Sequence, residues 1–428
     1  MPFLRRALTK LRGPGGERPY WFLLLVGTVV RIWSVLVYRN PTSLIFSDAA
    51  RHWDNAKHFL DPGPMGCSNP YLYQLFLYLV RRATSDSALL VGLVTTALSL
   101  AYPLSFYLFA RSVCRRRINA LRAATVLALL PTHVSIFSFF MNETLLLPLM
   151  GFALYTTVEA KKRRSGALFL LATTLWVAAI LTRSVVLPIA FLAAVYALAP
   201  QRRRILLALS ATIITAVGFG AASLHAYPYL HRYTPFGDSS TVGIYFVSAA
   251  RDYQVTYAKR YVYGFSSPSL YISPFDPFFG FTSIREGKFA FSIDPEKAGE
   301  DVRATYIGLT AKNRAKIPHL VFENLVYLTF GHAWPDAGKD NTPGRICLWE
   351  RWIWAPLLLI AVFGSIAHLR RRGPSLVPVL TLAFVFSLYA ASVLTMMEGR
   401  YRRPLEPMLV VAVFFLLDAR RPRPAFGR

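Results

Sequence analysis

The stretch ALLVGLVTTALSLAYPLSFYLFARSVCRRR, residues 88–117, combines a long apolar run with a basic end. Its first part, residues 88–110, carries no charged side chain and is long enough to cross the ~30 Å hydrocarbon layer of a bilayer as a helix. Arg111 and Arg115–Arg117 follow directly. Because cytoplasmic loops retain Lys and Arg, this run predicts a transmembrane helix that ends on the cytoplasmic side.

The rest of the chain repeats this pattern, and Lys and Arg concentrate in every second loop. The basic loops place both termini in the cytoplasm and the functional surface on the opposite side. The pattern predicts an all-α polytopic protein, integral to the cell or inner membrane, with about ten transmembrane helices. The predicted spans are 20–38, 88–110, 120–137, 143–158, 166–181, 185–199, 205–223, 352–368, 376–395 and 405–417.

Composition excludes an ordinary soluble domain, since 54% of the 428 residues are hydrophobic and the mean hydropathy is +0.39. The net charge of +26 does not indicate a nucleic-acid partner. A nucleic-acid binder concentrates its basic residues on one face, whereas here they are dispersed among short loops. Membrane topology and anionic lipid headgroups account for this charge, so membrane lipids are the expected partners.

The spans and loops divide the chain into five parts. They are a basic cytoplasmic N-terminus (1–19), a transmembrane catalytic core (20–223) with an outward loop at 39–87, an extracytoplasmic loop or cap (224–351), C-terminal transmembrane helices (352–417) and a cytoplasmic tail (418–428).

The first outward loop contains two short apolar patterns. Residues 48–60 place apolar side chains three and four positions apart, which predicts an amphipathic helix on the membrane surface with Ser47 or Asp48 as its N-cap. Residues 70–80 form a second stretch that is too short to span. We therefore expect two outward juxtamembrane helices. The larger loop, rich in aromatics and helical in pattern through 296–330, predicts a mixed cap.

Charged residues also occur where spans meet the outer face, against the inward bias of the other basic residues. They are Asp48, Glu143, Arg183, Arg400 and Arg402. Charges at membrane depth are expensive and commonly functional. Carboxylates can activate a hydroxyl or amine nucleophile, and arginines can bind a lipid phosphate.

Each of these residues also has a structural interpretation. A carboxylate at a helix N-terminus is stabilised by roughly 0.3–1 kcal/mol, which suffices to explain Asp48 or Glu143. The outward arginines can anchor to lipid headgroups. Arg31, inside the first span, is expected to snorkel or to pair internally rather than to act in catalysis. His52, His58 and His133 do not have the spacing of metal ligands.

The order of these motifs resembles the glycosyltransferase-C superfamily, in the branch of protein O-mannosyltransferases and lipid A aminoarabinose transferases. The resemblance covers about 20–223 and 352–417. It is carried by five segments, namely Phe46-Ser47-Asp48-Ala49, Asn69-Pro70-Tyr71-Leu72-Tyr73, Asn142-Glu143-Thr144-Leu145, Leu181-Thr182-Arg183-Ser184 and Gly399-Arg400-Tyr401-Arg402-Arg403-Pro404-Leu405.

The resemblance implies an inverting glycosyltransferase of the cell envelope that uses a polyprenyl-phosphate-linked sugar on the extracytoplasmic face. The acceptor would be a lipid, a glycan or a protein. No cofactor is required, and a divalent cation (Mg²⁺ or Mn²⁺) is optional, with Asp48 and Glu143 as its ligands. The implied roles are Asp48 as base, Glu143 as second acid, Arg183, Arg400 and Arg402 as ligands of the donor phosphate, and Tyr401 and His52 as substrate contacts.

The sequence departs from the relatives in two places. Many relatives have two adjacent acids in the first loop, whereas Ala49 follows Asp48, which shifts weight toward Glu143 as a base. Many bacterial relatives have an Asn-rich segment early in the large loop, where this chain has Gly237-Asp238-Ser239-Ser240-Thr241. Substrate preference at that segment therefore does not carry over.

Other functions are compatible with this topology. A ligase or polymerase that moves whole glycans between lipid carriers would have a similar layout, but would rely on arginines and a histidine. A lipid flippase or transporter would need polar or broken helices in mid-membrane. A non-catalytic assembly protein is a further alternative. A disulfide between Cys67 and Cys347 stays open, because sequence does not fix their distance.

Overall fold

The structure is a computed structural model of the full chain. It describes residues 16–43, 45, 47–67, 69–231, 233–236, 325, 328–331, 342–392 and 399–419.

All regular elements in these described ranges are helical. In chain order the α-helices are α1 Arg18–Trp33, α2 Ser47–Asn55, α3 Gly63–Cys67, α4 Tyr71–Thr84, α5 Ala88–Val113, α6 Arg117–Leu129, α7 Pro131–Ser135, α8 Glu143–Arg163, α9 Gly166–Thr182, α10 Leu187–Leu198, α11 Arg204–Leu230, α12 Thr342–Arg372, α13 Leu376–Ser392 and α14 Glu406–Ala419.

Each of the ten predicted apolar runs overlaps one or more of these helices, and the last residues of the run 376–395 lie outside the described residues. By length and composition, four helices in the described part of the chain can cross a membrane, or five if α6 and α7 form one bent span. The four are α1 with its π-helical extension to Tyr38, α5, α11 and α12. The all-helical membrane fold is therefore confirmed, whereas the number of ten spans stays a prediction.

The predicted span over 120–137 contains a break. The helix breaks between Leu129 and Pro131, where α6 and the segment after it meet at 67°. Proline lacks an N–H and restricts the residue before it to extended conformations, and Leu130 has φ −58° and ψ 120°. Thr132, beyond the break, donates its backbone N–H and its hydroxyl to the Glu350 carboxylate of α12, at 2.8 and 2.7 Å.

Arg31 stabilises the carbonyl end of the broken helix. Its side chain is fully buried in α1, and its guanidinium donates to the carbonyl oxygens of Leu127 and Ala128 at 2.7 and 3.0 Å. The same guanidinium donates to Ser99 and to the carbonyl oxygen of His133. The sequence predicted that Arg31 would either snorkel or pair internally, and the structure shows internal pairing. Arg31 thus joins α1, α5, α6 and α7.

Close packing holds the central helices together. The long helix α8 packs against α5, α9 and α10. At Gly151 of α8 the backbone approaches α5 so closely that a Cβ atom would lie 2.1 Å from the Ser105 hydroxyl oxygen. Small residues at helix contacts are typical of membrane proteins, where close backbone approach replaces the hydrophobic effect as the source of stability.

Both predicted juxtamembrane helices are present. The first comprises α2 and a 3₁₀ turn at Ala56–His58, and the second is α4, which follows Pro70. Helix α11 continues to Leu230 and α12 begins at Thr342, so both helices extend into the predicted loop 224–351, whose bounds stay a prediction. The predicted cap itself, with its aromatic residues and most of the helical segment 296–330, lies outside the described residues.

Candidate active site

Three predicted site residues meet where three helices begin or end. Glu143 is the first residue of α8, Arg183 directly follows α9, and Tyr401 belongs to a 3₁₀ turn at Gly399–Arg402 before α14. The Arg183 guanidinium forms a short ion pair with Glu143 Oε1. Its Cζ atom lies 5.3 Å from the centre of the Tyr401 ring. The sequence placed these residues on one face, and the structure brings them into contact.

The two members of this ion pair differ in solvent exposure. Glu143 is 2% exposed, whereas the Arg183 side chain is 14% exposed. The second carboxylate oxygen of Glu143, Oε2, makes no hydrogen bond in the part of the chain that the structure describes. A partly exposed guanidinium next to an unsatisfied carboxylate oxygen offers both a donor for an anion and an acceptor for a hydroxyl.

Asp48 lies in the first turn of α2, as its sequence pattern predicts. Its side chain is largely buried, and Oδ1 pairs with Arg51 Nη2 at 3.2 Å. Arg51 is half-exposed, so this pair contributes little to stability. The Asp48 carboxylate thus lies in the first turn of α2 and pairs with a half-exposed arginine.

Aromatic contacts place α2 against the turn that leads into α8. The ring of Trp53 stacks on Phe140, three residues before that helix, with centroids 4.1 Å apart. One residue earlier, His52 packs edge-on against Tyr73 of α4, at 5.2 Å. Tyr73 in turn hydrogen-bonds to the side chain of Thr144, and burial raises the pKa of its phenol. The helix that carries Asp48 is thereby fixed to the start of the helix that carries Glu143.

His52 does not face an open site. It is 3% exposed, and its Nδ1 accepts a hydrogen bond of 3.1 Å from the Gln74 side-chain amide. It lies one helical turn after Asp48, so both side chains occupy one face of α2. Contact of His52 with a substrate stays a prediction, whereas its contacts to α4 are direct.

Arg402 is placed differently from Arg183. It is 1% exposed, and its Nε donates to Glu406 Oε1 at 2.7 Å. Its two terminal nitrogens donate to backbone carbonyl oxygens of the segment 328–331, at 2.6–3.2 Å. Glu406 also accepts a 2.7 Å hydrogen bond from His133 Nε2. Arg400 belongs to the same 3₁₀ turn, but its side chain lies outside the described residues.

Sequence reasoning missed several polar residues that support this site. They are Tyr73 and Gln74 in the second juxtamembrane helix, and His133, Glu350 and Glu406 in or beside the spans. The signal was present, since an isolated ionisable residue in an apolar run is rarely incidental. Which of these residues pair could not be read from the chain, because His133 and Glu406 are 273 positions apart.

The described residues do not contain a group of three or more His, Cys, Asp or Glu side chains that could hold a metal ion. Of the two predicted ligands, Glu143 has one oxygen engaged by Arg183 and Asp48 is paired with Arg51. These residues alone fit a divalent cation poorly, since magnesium and manganese favour several oxygen ligands.

Residues 64–227 match the family model of dolichyl-phosphate-mannose-protein mannosyltransferases. The matched range contains Glu143 and Arg183, whereas Asp48 and Tyr401 lie outside it. No match was found among curated proteins.

Solved structures of the archaeal oligosaccharyltransferase AglB from Archaeoglobus fulgidus are also similar. One, in complex with an inhibitory peptide and a dolichol-phosphate, is 15% identical with a TM-score of 0.44, covering 94% of this chain and 50% of that one. The apo form is 16% identical with a TM-score of 0.45, covering 93% and 50%. The chain thus spans about half the length of these proteins.

The description of the matched family agrees with the enzyme class predicted from the sequence, a membrane glycosyltransferase. Over residues 64–227 the chain is similar to the dolichyl-phosphate-mannose-protein mannosyltransferases, and this match confirms the resemblance to the glycosyltransferase-C superfamily that its motifs predicted.

Proposed function

We propose that this protein transfers a sugar from a polyprenyl-phosphate-linked donor to an acceptor hydroxyl or amine at the outer face of the membrane, with inversion at the anomeric carbon. The family match supports a donor of this class, because its description names a dolichyl-phosphate-linked mannose. The distribution of Lys and Arg supports the outward orientation. Loops rich in these residues face the cytoplasm, and the candidate site lies in the alternate set of loops. The acceptor class is a lipid, a glycan or a protein.

The contact of Arg183 with both Glu143 and Tyr401 carries the proposal. Arg183 donates to one Glu143 oxygen, and no other hydrogen bond of its guanidinium is made to the described residues. A guanidinium has five N–H donors, so this one retains donors for a phosphate oxygen. The buried carboxylate keeps the cation in place, and the tyrosine ring limits its movement. Arg183 is the proposed ligand of the donor phosphate.

Asp48 is the proposed base. The acceptor oxygen attacks the anomeric carbon as the bond from that carbon to the phosphate oxygen breaks, and the acceptor proton passes to the Asp48 carboxylate. The polyprenyl phosphate leaves as an anion, which Arg183 stabilises. Because attack occurs opposite the leaving phosphate, the product has the opposite anomeric configuration. Glu143 Oε2 makes no hydrogen bond to the described residues, and we assign it to accepting a hydrogen bond from the acceptor and orienting it.

The two other predicted phosphate ligands have different roles in this proposal. Arg402 is enclosed by Glu406 and backbone carbonyl oxygens, so we assign it to holding the turn that presents Tyr401. Arg400, in the same turn, stays a proposed phosphate ligand beside Arg183. No step requires a metal ion, because arginine can neutralise the leaving group.

The proposal is tested by incubating the purified protein with a panel of polyprenyl-phosphate-linked sugars and following the release of polyprenyl phosphate. We expect release with at least one donor, and NMR of the product should show the inverted anomeric configuration. A matched panel of oligosaccharides on polyprenyl diphosphate distinguishes the proposed activity from that of a glycan ligase. Transfer from the diphosphate-linked donors alone, or retention of configuration, would overturn the proposal.

A further inference from the structure

A small cavity lies on the outward side of the molecule, away from the contact of Arg183 with Glu143. It is enclosed by α4, the last turns of α11 and the segment that joins the two juxtamembrane helices. Its volume is about 20 Å³, which is room for one water-sized group. Among its lining residues are Phe59, Asn69, Tyr71, Gln74 and His225.

Two of the lining residues each carry a buried hydrogen-bond acceptor that has no partner among the described residues. Asn69 and Gln74 are each 4% exposed, and their carbonyl oxygens make no hydrogen bond in the described ranges. The amide nitrogens of both side chains are engaged, that of Asn69 by the Gly66 carbonyl oxygen and that of Gln74 by His52 Nδ1. A buried acceptor without a donor costs about 1–3 kcal/mol. The cavity is therefore built to receive a group that donates hydrogen bonds.

Aromatic rings form the wall of the cavity. Phe59 stacks on His225 with centroids 4.5 Å apart and lies 5.6 Å from Tyr71. His225 is held in turn by the carbonyl oxygen of Phe59, 2.6 Å from its Nε2. Aromatic walls with a few convergent polar atoms are typical of small-molecule sites. A sugar fits this chemistry, because its hydroxyl groups donate hydrogen bonds and its ring carbons carry apolar C–H groups.

We propose that the cavity between Asn69 and Gln74 is a subsite for a sugar hydroxyl group, with the sugar ring lying over the aromatic wall at its mouth. This inference rests on the proposed function and adds to it the place where a sugar is recognised. Gln74 connects this subsite to the active site, because it holds His52, one turn after Asp48 on α2. The volume admits one hydroxyl group rather than the whole ring.

The test measures binding of four probes to the full-length protein in detergent. Decaprenyl-phosphate mannose and bare decaprenyl phosphate probe the donor, and mannotriose and glycerol probe a sugar acceptor. The variants are Asn69→Leu and Gln74→Leu, which remove one carbonyl each, and Ala226→Leu, which fills the cavity and keeps both. The control is Gln201→Leu, whose buried amide donates to the carbonyl oxygens of Ala160 and Ala197 instead.

We expect each cavity variant to weaken binding of a sugar-bearing probe by roughly 3- to 10-fold, the size of one hydrogen bond, while the control variant binds as wild type does. If only decaprenyl-phosphate mannose is affected, the sugar belongs to the donor, and if only mannotriose is affected, to the acceptor. Thermal unfolding checks that each variant is folded. Should Asn69→Leu unfold, Ala226→Leu decides, because it leaves both amides intact.

Equal affinities of wild type and all cavity variants for both sugar-bearing probes would overturn the subsite and assign the cavity to a bound water. If the wild type still transfers sugar in that case, the proposed function stands without the subsite. The converse result is that the wild type transfers no sugar, while the cavity variants bind mannotriose more weakly than the wild type does. This result would refute the proposed function and keep the subsite. Wild-type protein that binds neither sugar-bearing probe more tightly than bare decaprenyl phosphate or glycerol would overturn the inference.

Discussion

Arg183 and Glu143 form an ion pair although 40 positions separate them in the sequence. They meet because α8 and α9 are joined by a short turn and pack against each other, so the start of α8 lies beside the end of α9. The carboxylate is buried and its partner is partly exposed. The buried carboxylate therefore holds the Arg183 guanidinium in a partly exposed position.

Removing one member of this pair should destabilise the protein more than removing both. Arg183→Gln leaves a buried carboxylate without its partner, which typically costs about 3–5 kcal/mol. The double variant Arg183→Gln/Glu143→Gln replaces the charges with two neutral amides that can bond to each other. We expect a lowered thermal unfolding temperature in the single variant and a largely restored one in the double variant.

The double variant also separates stability from donor binding. With the fold restored, it should still bind a polyprenyl-phosphate donor weakly, because the phosphate ligand is gone. Arg183→Lys keeps the charge but not the planar guanidinium, so it should recover only part of the affinity. A double variant that is folded and binds donor as tightly as wild type would remove Arg183 from the site.

Arg402 should behave as a structural residue rather than as a phosphate ligand. Arg402→Met leaves Glu406 buried beside His133 with one partner fewer, so we expect a loss of about 3–5 kcal/mol in unfolding free energy. Adding Glu406→Gln should recover part of it, and a double-mutant cycle measures this coupling. Donor affinity of the folded double variant should match that of wild type within about threefold. A selective loss of donor affinity without loss of stability would return Arg402 to the phosphate site.

The sequence predicted the helices better than their ends. Apolar runs predicted the positions of the helices because side chains that face lipid or the core must be apolar along most of a helix. Helix α12 begins ten residues before the predicted start at 352, at Thr342, because its polar first turns do not interrupt the backbone hydrogen bonds. The break at Pro131 was visible in the sequence, yet the apolar residues on both sides of it predicted a continuous span.

The candidate site shows a similar division. Its members were predictable from their type and position, since Glu143, Arg183 and Tyr401 all lie in turns that the distribution of Lys and Arg predicts to face outward. Their pairing was not, because each turn joins a different pair of helices and only packing decides which side chains meet. Arg183 and Arg402 differ in exposure and partners for the same reason. Each lies next to a predicted span, but only Arg402 has a buried carboxylate four positions later in the sequence.

The topology can be tested by labelling introduced cysteines with a membrane-impermeant maleimide. Ser240→Cys should react from outside in intact cells, whereas Lys162→Cys should be protected until the membrane is opened, because the basic turn at 161–164 lies inside. The reverse result would overturn the orientation and the proposed location of the active site.

Two of the three native cysteines, Cys67 and Cys114, should contribute little background to this labelling. Burial raises the pKa of Cys67 to about 11 and that of Cys114 to about 12. A thiol with a raised pKa is protonated near pH 7.5, and the thiolate is the reactive form. Labelling of Cys67 in the purified protein should therefore increase with pH up to about 11. Rapid labelling at pH 7.5 that does not change up to pH 10 would contradict this prediction.

Asp48 gives the sharpest test of the proposed chemistry. Asp48→Asn preserves the shape of the side chain but not its basicity, and loss of a general base typically lowers the rate by ~100- to 10,000-fold. We expect this variant to fold and to bind donor while it transfers sugar at a small fraction of the wild-type rate. Asp54→Asn is the matched control, because Asp54 lies on the same helix but is exposed to solvent. If Asp48→Asn is folded and transfers sugar as fast as the control, Asp48 only stabilises the first turn of α2, and Glu143 becomes the candidate base.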